Sequence, residues 1–198
     1  MLTAVNTRIP DALVDPQFLD RWSPRAFSPQ PLEQGTIDSL FEAARWAPSA
    51  SNEQPWVYLY ATNPEERALF LGILDESNQI WVRHAPMIAF VLARLHSSRS
   101  GRALRTAQFD AGSSWLSLAL EARRLGLYAH AMAGFDEDRA YDLLRIPGDK
   151  YEVMAAIAIG SYGDPSLLDE ANRRRETPST RKHSSEFVFR GLMPEALR

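Results

Sequence analysis

The chain has 198 residues, 45% of them hydrophobic and 24% charged, with a formal net charge of −3 and an isoelectric point near 5.8. That size and balance fit one ordinary soluble domain, and the acidic charge argues against a general binder of nucleic acid or anionic membrane. The absence of cysteine excludes disulfides, thiolate catalysis and cysteine-ligated metal or iron–sulfur sites.

The start of the chain, with Thr3, Asn6, Arg8, Pro10 and Asp11, lacks the apolar run of a signal peptide. No segment reaches the roughly 20 apolar residues of a membrane span. A cytoplasmic location is therefore the expectation. Residues 1–198 show no internal repeat and no compositional break, and read as a single domain.

Arg21, Ser23 and Arg25 alternate. They share one side if the segment is extended, and the two arginines come together if it is helical. Ile37, Leu40, Phe41 and Ala44 recur at helical spacing and lead to Pro48, which tends to end a helix. The segment Ala47-Pro48-Ser49-Ala50-Ser51-Asn52-Glu53-Gln54-Pro55-Trp56 follows. Its small residues allow close approach of the backbone to a bound group, and the amides of Asn52 and Gln54 carry donors and acceptors. Such a loop can be an ordinary turn, or it can read the polar edge of a flat heteroaromatic ring.

Trp56 to Tyr60 is rich in β-formers and reads as a strand. Pro64 to Leu74 reads as a helix with Asn63 as cap. Pro86 to Leu95 is nearly continuous apolar sequence, short enough for a buried strand. Residues 103–125 read as a long helix ended by Gly126. Its apolar residues and the small residues Ala111, Gly112, Ser113, Ser114 and Ser117 suit either a core helix or a helix–helix interface. Leu127 to Met132 is a short strand, Asp136 to Leu144 a helix, and Tyr151 to Ile159 a buried strand that closes the sheet. Helices alternating with strands indicate a sheet covered by helices.

Beyond the sheet, Asp169 to Glu176 is a charged run of the solvated-linker kind. Arg181-Lys182 is a second basic pair. With Arg21 and Arg25 it suits either a solvated patch or a terminal phosphate, whose near-double charge Arg can read bidentately. Phe187-Val188-Phe189 and Leu192-Met193 then form an apolar arm that must cover its own domain or a partner. His84, His96, His130 and His183 show no metal-binding spacing and read as isolated structural or surface residues. There is no Gly-x-Gly-x-x-Gly, Walker A or Gly-x-Ser-x-Gly sequence, and Gly160-Ser161-Tyr162-Gly163 reads as a strand-end turn.

Five ordered segments resemble the FMN-dependent nitroreductase family, and the resemblance runs from about residue 18 to 190. They are Arg21-x-Ser23-x-Arg25-x-Phe27, the Ala47–Trp56 loop, Gly134-Phe135-Asp136, Ile159-Gly160, and Arg181-Lys182 followed by Glu186-x-Val188. The resemblance implies an α+β nitroreductase-like fold: a mostly antiparallel sheet covered by helices, in an interwoven homodimer. Residues about 184–198 would be a C-terminal arm packed on the partner subunit. It also implies non-covalent FMN, with Arg21, Ser23, Arg181 and Lys182 at the phosphate and ribityl chain. Arg25 would sit at the N1/O2 side of the ring, with Asn52 and Gln54 nearby. Pro48, Ser49, Ala50 and Ser51 would approach the flavin held mainly by the other subunit. Gly134, preceded by Ala133, would present a backbone N–H to N5 or O4, where a side chain would block approach.

The implied reaction is hydride transfer from transiently bound NAD(P)H through flavin N5 to a nitroaromatic, quinone or related electrophile. The cofactor carries the chemistry and Arg25 stabilises charge on the reduced ring. Two alternatives share these motifs. One is a non-catalytic flavin-binding or regulatory dimer. The other is a related chemistry, such as a flavin destructase, a dehalogenase or an enal-type reductase. The regions Asp75–His84 and Phe109–Trp115 suit a substrate cap or core, and Trp22 either stacks near the site or packs on the domain edge.

Overall fold

The computed structural model describes residues 6–195. Its core is a four-stranded sheet formed by β1 (Trp56–Ala61), β2 (Met87–Arg94), β3 (Leu127–Met132) and β4 (Tyr151–Ser161). The strand order is β1-β2-β4-β3, and every neighbouring pair is antiparallel. The last strand in sequence therefore lies inside the sheet rather than at its edge. The register of β2 against β4 slips at one residue, because Val91 faces Ala155 while Leu92 faces Val153, leaving Met154 as a bulge.

Helices cover both faces. Ile88, Phe90 and Leu92 of β2 pack with α3 (Pro64–Leu71), α4 (Glu76–Val82) and α6 (Glu137–Leu143) through Phe70, Trp81 and Ala140. Met87, Ala89 and Val91 pack on the other face with α2 (Gln34–Arg45) and α5 (Ala107–Arg124), through Leu40 and Leu118. A strand buried on both sides needs no polar alternation, which is why residues 86–95 read as one apolar run.

Local chemistry sets the helix ends. The Asn63 side chain accepts from the Glu66 N–H at 2.8 Å, with Pro64 at the first position of α3. Gly126 ends α5 with φ +77°, the left-handed stop expected there. That helix begins at Ala107 rather than 103, because residues 95–104 pair with one another: the Leu104 N–H donates to the Leu95 carbonyl at 2.7 Å. Two short helices escape detection by periodicity. α1 (Pro16–Asp20) is capped by Asp15. α4 has one turn facing the core, and its Trp81 is core rather than substrate cap.

Two expectations need correction, those on residues 169–176 and on Gly160–Gly163. Residues 169–176 are not a plain solvated linker: α7 (Glu170–Arg174) forms there, capped by Asp169, and Glu176 is buried. On the single chain α5 is buried along one side only. Ala111, Ser114 and Leu118 face the core, whereas Phe109 is 77% exposed, and Gly112 and Leu116 are also exposed. Gly160-Ser161-Tyr162-Gly163 begins inside β4, and Tyr162 bridges to Phe27. The apolar arm does not cover its own domain: Phe187, Val188, Leu192 and Met193 are all at least 60% exposed. Residues 196–198 of the expected arm lie outside the described residues.

Candidate functional site

The segment 21–28 is docked against the end of β4. The Gly163 N–H donates to the Ala26 carbonyl at 2.9 Å, and Ser28 N–H to the Ser161 carbonyl at 3.0 Å. A Cβ on Gly163 would stand 2.4–2.7 Å from backbone atoms of Phe27 and Ser28, so only glycine permits this docking. From the other side, the buried Glu176 carboxylate accepts the Arg25 N–H at 2.9–3.0 Å and the Ala26 N–H at 2.9 Å. Burial pushes its pKa up, and those N–H bonds and the Arg25 charge pull it partly back. The docked segment is extended, so Arg21, Ser23 and Arg25 share one side while Trp22, Pro24 and Ala26 turn inward. Trp22 packs edge-on against Tyr128 at a centroid distance of 6.0 Å, which makes it floor rather than rim.

The result is a cleft of about 320 Å³ lined by five arginines, Arg8, Arg21, Arg25, Arg175 and Arg181, with Ser23, His130, Thr177 and Ser179. Arg8 has a structural share, since its guanidinium donates to the carbonyls of Leu19 (2.9 Å), Arg21 (2.8 Å) and Ser179 (2.8 Å). Burial, and then neighbouring cations, lower the pKa of Arg8, Arg21 and Arg25. Arg21 is lowered by burial and then by Arg181 and Arg8, and Arg25 by burial and by Arg175, against the pull of Glu176. Five guanidiniums around one carboxylate already committed to backbone make an anion site, and the cleft holds the charge and donors that a phosphate needs. A larger hollow of about 560 Å³ elsewhere is rimmed by Asp38, Glu42 and Glu121, whose charges would repel a phosphate.

His130 is the cleft residue that its sequence context did not mark. Its β3 neighbours Tyr128 and Met132 point to the same face, so the period of two could have placed it. Its ring lies tilted against Trp81 at a centroid distance of 4.6 Å, and Nδ1 lies 2.7 Å from the Pro24 carbonyl, which can only accept. Nδ1 therefore carries the proton. Burial first, and then Arg25 and Arg21, push its pKa down to about 4, although the Pro24 bond pulls the other way. Since the folded value lies below the unfolded one, stability is complete above pH 6.5 and falls as pH drops from 6.5 toward 4. The full loss is about 3 kcal/mol. Urea unfolding across that range should show the loss in the wild type, and His130→Gln should remove most of it.

The other expected site residues lie elsewhere. Lys182 lines an adjoining groove with Arg8, Phe18 and Arg181. Ala133 and Gly134 follow β3 in a tight turn, in which the Phe135 N–H donates to the Ala133 carbonyl at 3.1 Å. The Gly134 N–H, on the opposite side of the same trans peptide, points out of that turn. The space for a Cβ at Gly134 is taken by Asn78 Nδ2 (2.5 Å) and Asp75 Oδ2 (2.8 Å). A side chain at this position would have to displace the ends of these two side chains at the start of α4.

Pro48–Gln54 lies at the N-terminal end of α5, where the Ala50 N–H donates to the buried Asp110 carboxylate at 3.2 Å. Among the described residues, none of 48–54 lines the arginine cleft. Ser51, Asn52 and Gln54 have φ of +53°, +56° and +48°. Left-handed geometry costs a non-glycine residue on the order of 1 kcal/mol, less for Asn. A loop that carries three such residues is held by its surroundings.

Known structures share this architecture. A protein of Exiguobacterium sibiricum, described as a putative nitroreductase in complex with FMN, superimposes with a TM-score of 0.72 over 90% of this chain and 98% of its own. At 18% identity that likeness shows the fold alone. A crystal structure described as an oxidoreductase containing FMN superimposes with a TM-score of 0.92 at 42% identity, over 98% of this chain and 99% of its own. A Streptomyces coelicolor protein named as a putative NADH dehydrogenase/NAD(P)H nitroreductase is 31% identical over 185 residues, 84% of this chain and 91% of its own. The nitroreductase family model matches residues 19–76 and 68–161. The chain belongs to the nitroreductase family.

Proposed function

We propose that this protein is a homodimeric, FMN-dependent NAD(P)H oxidoreductase that reduces a nitroaromatic, a quinone or a related electrophile. The observation that carries the reading is the five-arginine cleft, whose charge fits the phosphate end of a flavin mononucleotide. Arg21, Ser23 and Arg181 hold that phosphate, with Lys182 at the mouth. Gly134 follows His130 by four residues, roughly 13 Å along an extended chain, so β3 runs from the phosphate end toward the ring end. The outward Gly134 N–H donates to the ring there, and Ala133, which has no bulk, leaves the approach open. When bound, FMN supplies the hydride chemistry between nicotinamide and acceptor.

The 48–54 loop serves the partner's flavin, which accounts for its separation from its own chain's cleft. Pro48, Ser49, Ala50 and Ser51 bring backbone close, and Asn52 and Gln54 offer their amides. The exposed Phe109 and Leu116 face of α5 and the 187–193 arm supply the apolar contact between subunits. Arg25, half-buried with its guanidinium 6.0 Å from the Trp81 ring centroid, is the fixed cation that stabilises charge on the reduced ring.

The test is direct. The purified protein should release FMN on heating, and anaerobic NADH or NADPH should bleach the bound flavin. FAD, or no flavin after reconstitution, would reject the cofactor; no bleaching would make it a flavin-binding dimer rather than an enzyme. Arg25→Ala should lower the flavin reduction potential by about 20–40 mV, equivalent to 1–2 kcal/mol for two electrons. Arg25→Lys should fall between, since it keeps the charge and loses the planar fork. An unchanged potential in the fully loaded Ala variant would move Arg25 to the phosphate side.

A further inference from the structure

Glu53 stands in the middle of the left-handed stretch and points the opposite way from its neighbours. Ser51, Asn52 and Gln54 are exposed, whereas the Glu53 side chain is only 8% exposed. Its Oε1 accepts from Ser97 Oγ at 2.8 Å and from Arg99 Nη2 at 2.9 Å. The same Arg99 Nη2 donates to the Ser51 carbonyl at 2.7 Å. Arg94, from the end of β2, donates to the Glu53 carbonyl at 2.8 Å and pairs with Oε2 at 3.5 Å. Two guanidiniums thus grip both the side chain of Glu53 and the backbone on either side of Asn52. Arg99 foremost, with Ser97, holds the Glu53 carboxyl below its ordinary range. Ser49 Oγ closes the turn by accepting the Gln54 N–H at 3.0 Å.

A segment with three left-handed non-glycine residues has no intrinsic reason to stay in that form. The clamp supplies the reason, and the loop it holds leaves Asn52 and Gln54 exposed, with Gln54 Nε2 donating to the Asn52 carbonyl at 3.3 Å. We propose that Glu53 is a positioning residue: gripped by Arg99, Arg94 and Ser97, it holds residues 51–54 in their ligand-reading form before a flavin arrives. This rests on the flavin reading above and adds to it the residue that preorganises the ring-side loop. Glu53 itself touches no flavin.

If the clamp is lost, only a fraction of loops is competent at any moment, and apparent affinity falls by that fraction. Glu53→Gln keeps the volume and removes the charge that Arg99 and Arg94 bind. Flavin-stripped wild type, Glu53→Gln, Arg99→Lys and Arg181→Ala are titrated with FMN and with riboflavin, which has the ring but no phosphate. Glu53→Gln should weaken both ligands by the same factor, about tenfold. The loss should appear in slower association, with a melting temperature within about 2 °C of wild type. Arg99→Lys should lie between, since an ammonium cannot span the Ser51 carbonyl and Glu53 at once. Arg181→Ala should weaken FMN and leave riboflavin unchanged.

Equal affinity of wild type and Glu53→Gln for both ligands overturns the proposal while leaving the flavin site intact. So does a loss confined to FMN, which would place the effect at the phosphate, or a loss matched by a large fall in melting temperature, which would make the clamp merely structural. A wild type that takes up neither ligand overturns the flavin reading and the proposal with it.

Discussion

Glu176→Ala should cost roughly 2–4 kcal/mol of stability and abolish flavin retention at micromolar concentration. Alanine leaves the Arg25 and Ala26 N–H groups without the acceptor that now takes both. An unsatisfied buried donor costs about 1–3 kcal/mol, partly offset here by release of a desolvated charge. For a chain of this size that corresponds to a fall in melting temperature of roughly 5–15 °C. The functional loss should exceed the stability loss, because Glu176 joins the two strands of chain that carry the cleft arginines. Arg21 and Arg25 lie on the N-terminal segment that it holds, and Arg175 and Arg181 lie on its own stretch of chain, one before it and one after. Glu176→Gln retains one acceptor and turns an amide toward the remaining N–H, so it should be intermediate in both readouts. Thermal melts with flavin fluorescence provide the check. A Glu176→Ala protein that melts as wild type and stays yellow would show that the 25–26 backbone is held by Gly163 and β4 alone.

The second large effect is expected from removing residues 184–198. Phe187, Val188, Leu192 and Met193 are exposed on the single chain, an arrangement that marks a contact surface. Complete burial of such side chains contributes about 1.5–3 kcal/mol each. Even about 3 kcal/mol in total is a factor above one hundred in the dimer dissociation constant. The full chain should sediment as a homodimer through an interface above about 2,000 Å². The truncated chain should dissociate at micromolar concentration and lose flavin in parallel, because under the proposed function each site would draw its 48–54 loop from the other subunit. A stable, flavin-loaded monomer of the full chain in sedimentation would remove both the dimer and the shared site.

Much of the layout is legible in local chemistry. Asn63-Pro64 starts α3, Gly126 stops α5, and the apolar run at 86–95 forms a strand buried on both faces, because capping, left-handed geometry and burial act on neighbouring residues. The arginines at 21, 25 and 181 stand out through the resemblance to the nitroreductase family, and the structure brings them to one cleft although they are separated by up to 160 positions.

Long-range contact decided the rest. Glu176 reads as one more charge in an acidic and basic run, and only its position against Arg25 and Ala26 makes it buried and structural. His130 reads as an isolated histidine until β3 is paired and Trp81 closes over it. The α4 turn is too short for periodicity to register, yet its Asn78 and Asp75 pack closely against Gly134. Glu53 looks like an unspecified position between two amides, and it becomes a clamp only when the chain returns with Arg94, Ser97 and Arg99. Sequence determines what each segment can form, since caps, turns and burial patterns depend on adjacent residues. Tertiary structure decides which charges meet, because burial and pairing are properties of residues far apart in the chain.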